Sequence, residues 1–316
     1  MNAKPELLTT ARSMEELVRL IDVGADAFVL GESKFGLRVA GEFELDVMAE
    51  AVRIAHPRGV RIYAAINNLV DNETVGELPD YIKGLAAAGV DAVVFGDPAV
   101  LMAVREAAPG MKLHWNTEMT STNYATANFW GRKGATRVVL ARELNMEQVI
   151  GTKANTSLEV EVQVHGMTNI YHSKRSLVNS YLDYREQSGI AGNLSSELET
   201  DKDRGLYLIE TERQNERYPI YEDANGTHIM SSDDICMLEN LHELMEVGID
   251  SLKIEGFMKS IEYNETVVRA YRKVIDNYIA DPAAYRFDEQ LLEQIQAIQD
   301  PERELSFGFF YKEQVY

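Results

Sequence analysis

Side chains able to hold an anion or move a proton recur at or just past the ends of short apolar runs in this sequence. They are Glu32, Asn67, Asp97, Thr117 with Glu118, Arg142 with Glu143, His165, and Lys253 with Glu255. Loops are polar in any protein, so part of this pattern is unremarkable, but two features exceed it. Lys253 within SLKIEG and Arg142 within VVLARE place charges inside otherwise apolar runs, and His165 ends EVQVHG just before a glycine. A buried charge is costly unless paired, so Lys253 and Arg142 are expected to meet Glu255, Glu143 or Glu118. Two readings stay open. One is a set of structural ion pairs closing one end of the fold; the other is a cationic pocket for a small carboxylate, lined by Arg142, His165, Arg175 and Lys253.

Familiar catalytic patterns are missing. There is no GxSxG, no strand-linked GxGxxG and no GxxxxGK[ST]. His242-Glu243 opens like HExxH, but Glu246 stands where the second histidine belongs, in what reads as an amphipathic helix, LENLHELMEVG. Cys236 falls on the apolar side of the same pattern and reads as packing. The segment 162–184 gathers His165, His172, Lys174 and Arg175, the densest basic spot in the chain. It reads either as a turn with a solvated basic face or as an anion-binding loop.

The elements that position these residues form a repeat. VGADAFVLGE (23–32), AGVDAVVFGD (88–97), KGATRVVLARE (133–143) and VGIDSLKIEG (247–256) each carry a glycine, a polar step and a β-branched run. Gly24, Gly89, Gly134 and Gly248 stand where a helix end turns left-handed. The runs that follow suit parallel strands covered on both faces. Further strands are expected at 6–10, 61–67, 112–117 and 161–166, with helices at 13–22, 43–55, 78–88, 98–108, 146–154, 234–248 and 260–279. Eight strands alternating with helices predict a (β/α)8 TIM-like barrel, class α/β, with a doubly wound open sheet as the rival. The barrel is expected over 1–280, including a polar insert at 183–227 that holds a β-hairpin after strand 7. A C-terminal acidic helix and aromatic tail, 281–316, is expected to pack on the barrel or a partner.

Composition narrows the function. With 51 acidic and 31 basic residues the net charge is −20, which disfavours RNA binding by a broad basic surface. One cysteine rules out a disulfide framework. The N-terminus lacks a signal-peptide pattern and no run suits a membrane span, so a cytoplasmic protein is expected.

At these residues the chain resembles peptidase family U32, the collagenase-like proteases. FVLGESKFGLRVAGEF resembles the family's N-terminal strand and loop with its arginine, here Arg38, and RVVLAREL its central strand. EVQVHGMTNIYHSKRSL is similar to the signature E-x-F-V-H-G-x-x-C-x-x-x-S-G-x-C, and SLKIEGFMKS to the block S-L-K-I-E-G-R-M-K-S. The departures matter as much. Asn169 and Ser176 replace the signature cysteines, and Phe257 replaces the arginine of the last block. Family members that hydroxylate RNA are held to use such cysteines for an iron–sulfur cluster, so no cofactor is expected here.

The resemblance extends to the short, cysteine-poor members found beside a longer cysteine-bearing paralogue. That pair is implicated in forming 5-hydroxyuridine at the tRNA wobble position from prephenate. It implies a hydroxylation subunit that meets tRNA only in complex, with Arg38, Arg142, Arg175, Lys253, Thr117 and Glu118 binding a small dicarboxylate such as prephenate. The family name implies instead a peptidase, in which Glu143, His165 or Glu255 acts on water. A non-catalytic scaffold for the paralogue is the third reading.

Overall fold

In a computed structural model the described residues are 4–116, 122–187 and 203–313. The chain divides into two units: 1–166 with 235–299 and 305–316, and 167–234 with 300–304. In chain order the elements run β1 (Glu6–Thr10), α1 (Met14–Asp22), β2 (Ala27–Leu30), α2 (Leu45–Ala55), β3 (Arg61–Ile66), α3 (Asn72–Ala88) and β4 (Ala92–Phe95). Next come α4 (Pro98–Ala107), β5 (Lys112–Asn116), α5 (Tyr124–Arg132), β6 (Arg137–Val139), α6 (Met146–Asn155) and β7 (Glu159–Gly166). The second unit holds β8 (Asn169–Ser173), α7 (Leu177–Gln187), β9 (Asp203–Leu208), β10 (Tyr218–Asp223) and β11 (Gly226–Met230). The chain then adds β12 (Asp234–Cys236), α8 (Leu241–Glu246), β13 (Ser251–Ile254), α9 (Ile261–Ala280), α10 (Glu289–Gln296) and β14 (Leu305–Ser306).

Strands β1 to β7 pair in sequence order, all parallel, and β13 closes the ring by pairing with both β7 and β1. This is the (β/α)8 barrel expected from the repeat, and the open sheet is excluded by the closure. Gly24, Gly89, Gly134 and Gly248 all have positive φ, between 76° and 107°, as the helix-to-strand turns require. Ser13, Asp71, Asp97, Asn123, Asn145, Ser260 and Asp288 each accept a backbone N–H at a helix start. Such caps contribute about 1 kcal/mol apiece.

One expected helix changes type. Residues 234–248 were predicted as one helix, but only Leu241–Glu246 is helical. Ile235 and Cys236 instead pair antiparallel with Gly166 and His165, which extends the sheet past the end of β7. Cys236 is therefore a buried strand residue, its Sγ 3.9 Å from the Tyr271 hydroxyl. Beyond β12 lies β14, and the tail after it docks through Phe310, whose carbonyl accepts the Met146 N–H at the start of α6 (2.9 Å).

Strand register sorts the barrel residues into two faces. Residues that pair share a face, and the buried cluster Leu8, Ala27, Tyr63, Ala92 and Val94 stands apart from the core that includes the helices. These five therefore point inward. Following the pairings places Leu8, Tyr63, His114 and Glu161 in one layer, from alternate strands, as barrels of this class do. Toward the amino-terminal ends of the strands lie Ala27, Ala92, Arg137 and Ser251.

Arg137 is 1% exposed. Its Nη1 donates to Glu6 (2.7 Å) and Glu161 (3.2 Å), and its Nη2 to Glu159 (2.7 Å). Glu6 also accepts from the Tyr63 hydroxyl (2.6 Å) and Ser251 Oγ (2.9 Å) and pairs with Arg61 (2.7 Å). Burial pushes the Glu6 carboxyl up, but Arg137, Tyr63 and Arg61 outweigh it and hold the group below the usual range. A cavity of about 410 Å³ opens at this end, where Arg61, Arg137 and Lys153 all sit in ion pairs.

The second unit is an antiparallel sheet in the order β8-β11-β10-β9. It begins at Met167, ahead of the 183–227 segment that composition marks as the insert. The hairpin expected within that segment is β9–β10. Glu222 accepts the Val178 and Asn179 N–H groups and the Thr227 hydroxyl, fixing the start of α7.

Replacing Arg137 by alanine leaves Glu6 and Glu161 buried without their shared partner. Arg137→Ala is expected to lower unfolding free energy by about 3–5 kcal/mol, read by urea titration. Because the Glu6 pKa is depressed in the folded state, its contribution is full above the usual carboxylate range and is lost as pH falls through the lowered value. Glu6→Gln is therefore expected to lower stability at neutral pH and to flatten its fall in acid.

Candidate active site at the barrel mouth

Toward the carboxyl-terminal ends of the strands the inward layers change character. Val29, Val94, Val139 and Lys253 form one layer, and Thr10, Ala65, Asn116 and Gln163 the next. Three valines and a lysine make a floor that is apolar except for one ammonium. The Lys253 side chain is 17% exposed and its Nζ lies 3.0 Å from Glu255 Oε2. Glu255 Oε1 accepts the Phe257 N–H (3.2 Å) and sits 3.5 Å from Thr10 Oγ1, which itself accepts the Gly256 N–H (3.2 Å). Glu161 lies one layer below. Burial raises its carboxyl above the usual range, and Arg137 and Lys253 offset that rise only in part. The lysine thus stands between two carboxylates, as its place inside an apolar strand demands.

Gln163 is the side chain that residue-by-residue reading of strand ends passes over. Its Nε2 lies 3.3 Å from the carbonyls of both His165 and Gly166, so the amide group holds the strand end. The signal lay in the period-two pattern of EVEVQV, where Glu159, Glu161 and Gln163 alternate with valines.

His165 does not face the mouth. Strict alternation would carry it inward after Gln163, but the register slips here: Lys253 pairs with Gln163 and Ile254 with His165. The bulge turns the imidazole outward. There Nε2 lies 3.0 Å from the Tyr263 hydroxyl and Nδ1 3.3 Å from that of Tyr271, both on α9, and the residue is 0% exposed. Gly166 has φ 95°, and a Cβ at this position would collide with the Glu255 carbonyl.

The other predicted residues scatter. Arg142, half-buried, and Glu143, exposed, follow β6. Thr117 and Glu118 lie outside the described residues. Arg175 belongs to the second unit, where it is exposed. The structure therefore assembles Lys253 with Glu255, while His165 packs on Tyr263 and Tyr271 instead of joining them.

Arg38 sits in the loop after β2 with φ 52°, and Met258 in the loop after β13 with φ 60°. These two strands flank β1. Left-handed backbone at non-glycine residues costs energy and concentrates at functional sites. The Arg38 loop is fixed from β3: Asn67 Oδ1 accepts the Leu37 N–H (2.9 Å) and the Asn68 N–H donates to the Phe35 carbonyl (3.0 Å). Asn67, at a strand end, is thus a loop anchor.

Among the described residues no group of three or more His, Cys, Asp or Glu side chains is placed to hold a metal ion. The residues do not fit a thiolate-held iron–sulfur cluster. Asn169 and Ser176 supply no sulfur, and Cys236 is buried against Tyr271.

The closed (β/α)8 barrel defines a class; sequence comparison defines the family. The chain matches peptidase family U32 over residues 12–315 and belongs to it. It is 49% identical over 314 residues to tRNA hydroxylation protein P2 of Bacillus subtilis, covering 99% of each chain. Identity to tRNA hydroxylation protein P1 of the same organism is 34%, over 99% of this chain and 74% of that one. For tRNA hydroxylation protein P of Escherichia coli identity is 30%, over 93% and 72%. Among solved structures, the U32 peptidase Mk0906 aligns with TM-score 0.50 and 16% identity, over 81% of this chain and 93% of that one, a likeness of fold.

Arg38 tests whether the strained loop serves folding or function. Both substitutions remove the guanidinium, but glycine relieves the positive φ and a β-branched residue aggravates it, so Arg38→Gly is expected to be more stable than Arg38→Val by about 1–2 kcal/mol. Differential scanning calorimetry reads both.

Proposed function

We propose that this protein is a subunit of a tRNA hydroxylation system, acting in the cytoplasm with a longer, cysteine-bearing member of its own family. The observation that carries this reading is the alignment, at 49% identity and 99% coverage of both chains, with a protein named for tRNA hydroxylation. In this reading the modified position is the wobble uridine, converted to 5-hydroxyuridine. The net charge of −20 favours work on RNA in a complex over a grip by this chain alone.

At the barrel mouth the ligand is a small dicarboxylate such as prephenate. Its carboxylate replaces that of Glu255 at Lys253, so the ammonium is never left unpaired in its valine floor. Arg38 and Arg142, on loops that follow β2 and β6, meet the second carboxylate. The partner supplies the cluster that this chain lacks the cysteines to bind.

Deleting the gene is expected to remove 5-hydroxyuridine-derived nucleosides from tRNA, measured by liquid chromatography and mass spectrometry of digests. The wild-type gene restores them. Lys253→Ala is expected to restore less than about a tenth of the wild-type level, a loss of at least 1.4 kcal/mol in the step that limits modification, while its product still co-purifies with the paralogue. Unchanged nucleosides in the deletion strain would sink the reading.

A further inference from the structure

Helix α7 contains no buried residue along its 11 positions. A helix this short is marginal in isolation, and here its start is held by Glu222 and Thr227 rather than by an apolar face. Leu177, Tyr181 and Tyr184, at i, i+4 and i+7, lie along one side and are 39%, 58% and 63% exposed. The Arg185 guanidinium lies over the Tyr181 ring, 5.8 Å from its centroid. Lys174 and Arg175, both exposed, precede the helix. Helical spacing sends the two acidic residues of α7, Asp183 and Glu186, to the opposite side. In a chain of net charge −20, this separation leaves a small face where the rings adjoin the Arg185 guanidinium, with the acids of α7 itself turned away and Glu222 engaged with the backbone at its start.

We propose that this face binds a single-stranded segment of RNA, with bases stacking on Tyr181 and Tyr184 and phosphates meeting Arg185, Lys174 and Arg175. Flat rings beside a guanidinium suit unpaired bases, whose faces are open, and not a duplex, whose bases are stacked on one another. Charge favours this occupant over a protein groove: a groove would take up Leu177 and the tyrosines but gives no reason for the cations to flank them. The proposal rests on the reading that the protein acts on tRNA, and it assigns one of the surfaces by which that RNA is met.

The test uses the full chain and fluorescence anisotropy with labelled oligouridylate, against duplex RNA of equal length, at low salt. Wild-type protein is expected to prefer the single strand. Tyr181→Ala with Tyr184→Ala is expected to weaken binding by at least about tenfold, while Tyr181→Phe with Tyr184→Phe keeps it. Because α7 buries nothing, the circular dichroism of both variants should match wild type. No binding of oligouridylate by wild type, or equal binding by the alanine variant, overturns the proposal. So does loss of co-purification with the paralogue at unchanged RNA affinity, which makes the face a protein contact. Nucleoside analysis separates this from the functional reading. If deletion abolishes the modification but the alanine variant restores it and binds RNA normally, the face fails and the function stands. If deletion leaves the modification intact while the alanine variant loses RNA binding, the function fails and the face stands.

Discussion

A guanidinium enclosed by the barrel, that of Arg137, sets the terms for everything above it. It joins β6 to Glu6 of β1 and Glu161 of β7, so one side chain spans strands that are far apart in sequence. Its charge is tolerable only because the surrounding carboxylates and hydroxyls are fully engaged. Those carboxylates in turn make a second cation acceptable two layers up. Lys253 stands where the other strands place valine, and Glu161 below and Glu255 above supply its counter-charges. The barrel interior is thus uneven: β2 and β4 present only alanine and valine inward, while β5 to β7, β13 and Glu6 of β1 carry its polar groups. The polar side carries alternating charges from one end to the other.

That division also explains why the mouth is not a simple anion trap. An ammonium already 3.0 Å from a carboxylate gains little by adding a second one. In the proposed reading a ligand carboxylate takes the place of Glu255, so binding and the position of the loop after β13 are linked. Met258, three residues on, is held left-handed with φ 60°. In that reading the strain beside Glu255 gives the loop a reason to shift when the carboxylate is displaced.

Much of the barrel was legible because two periodicities met at glycine. Apolar runs of four to six residues, each preceded by a glycine that must turn left-handed, fixed the strands to within a residue or two. What escaped was decided by pairing across the sheet. Ile235 and Cys236 continue an apolar pattern that suits a helix, and only the free edge at the end of β7 makes them a strand. His165 illustrates the same limit at a single residue. Alternation along EVEVQVH points it inward, and a slip of register against β13, invisible in either strand alone, turns it onto Tyr263 and Tyr271. Lys253 and Glu255 were legible because a charge within SLKIEG has to find a partner close by.

The acid excess takes on a different meaning once charges are placed. Several of the basic residues are committed to carboxylates within the fold: Arg61, Arg137, Lys153, Lys253, Arg272 and Arg303 all sit in ion pairs. Pairing withdraws cations and carboxylates together, so the net charge of −20 persists with fewer cations available to a polyanion, and long-range attraction cannot guide it. Recognition of RNA by such a chain has to rest on short-range contacts, ring on base and guanidinium on phosphate, at places where acids are absent. Stacking is insensitive to the sign of the distant field, whereas phosphate contacts weaken as salt rises. In the proposed reading, an acidic subunit adds affinity for unpaired bases through such contacts once a partner has brought the RNA to it.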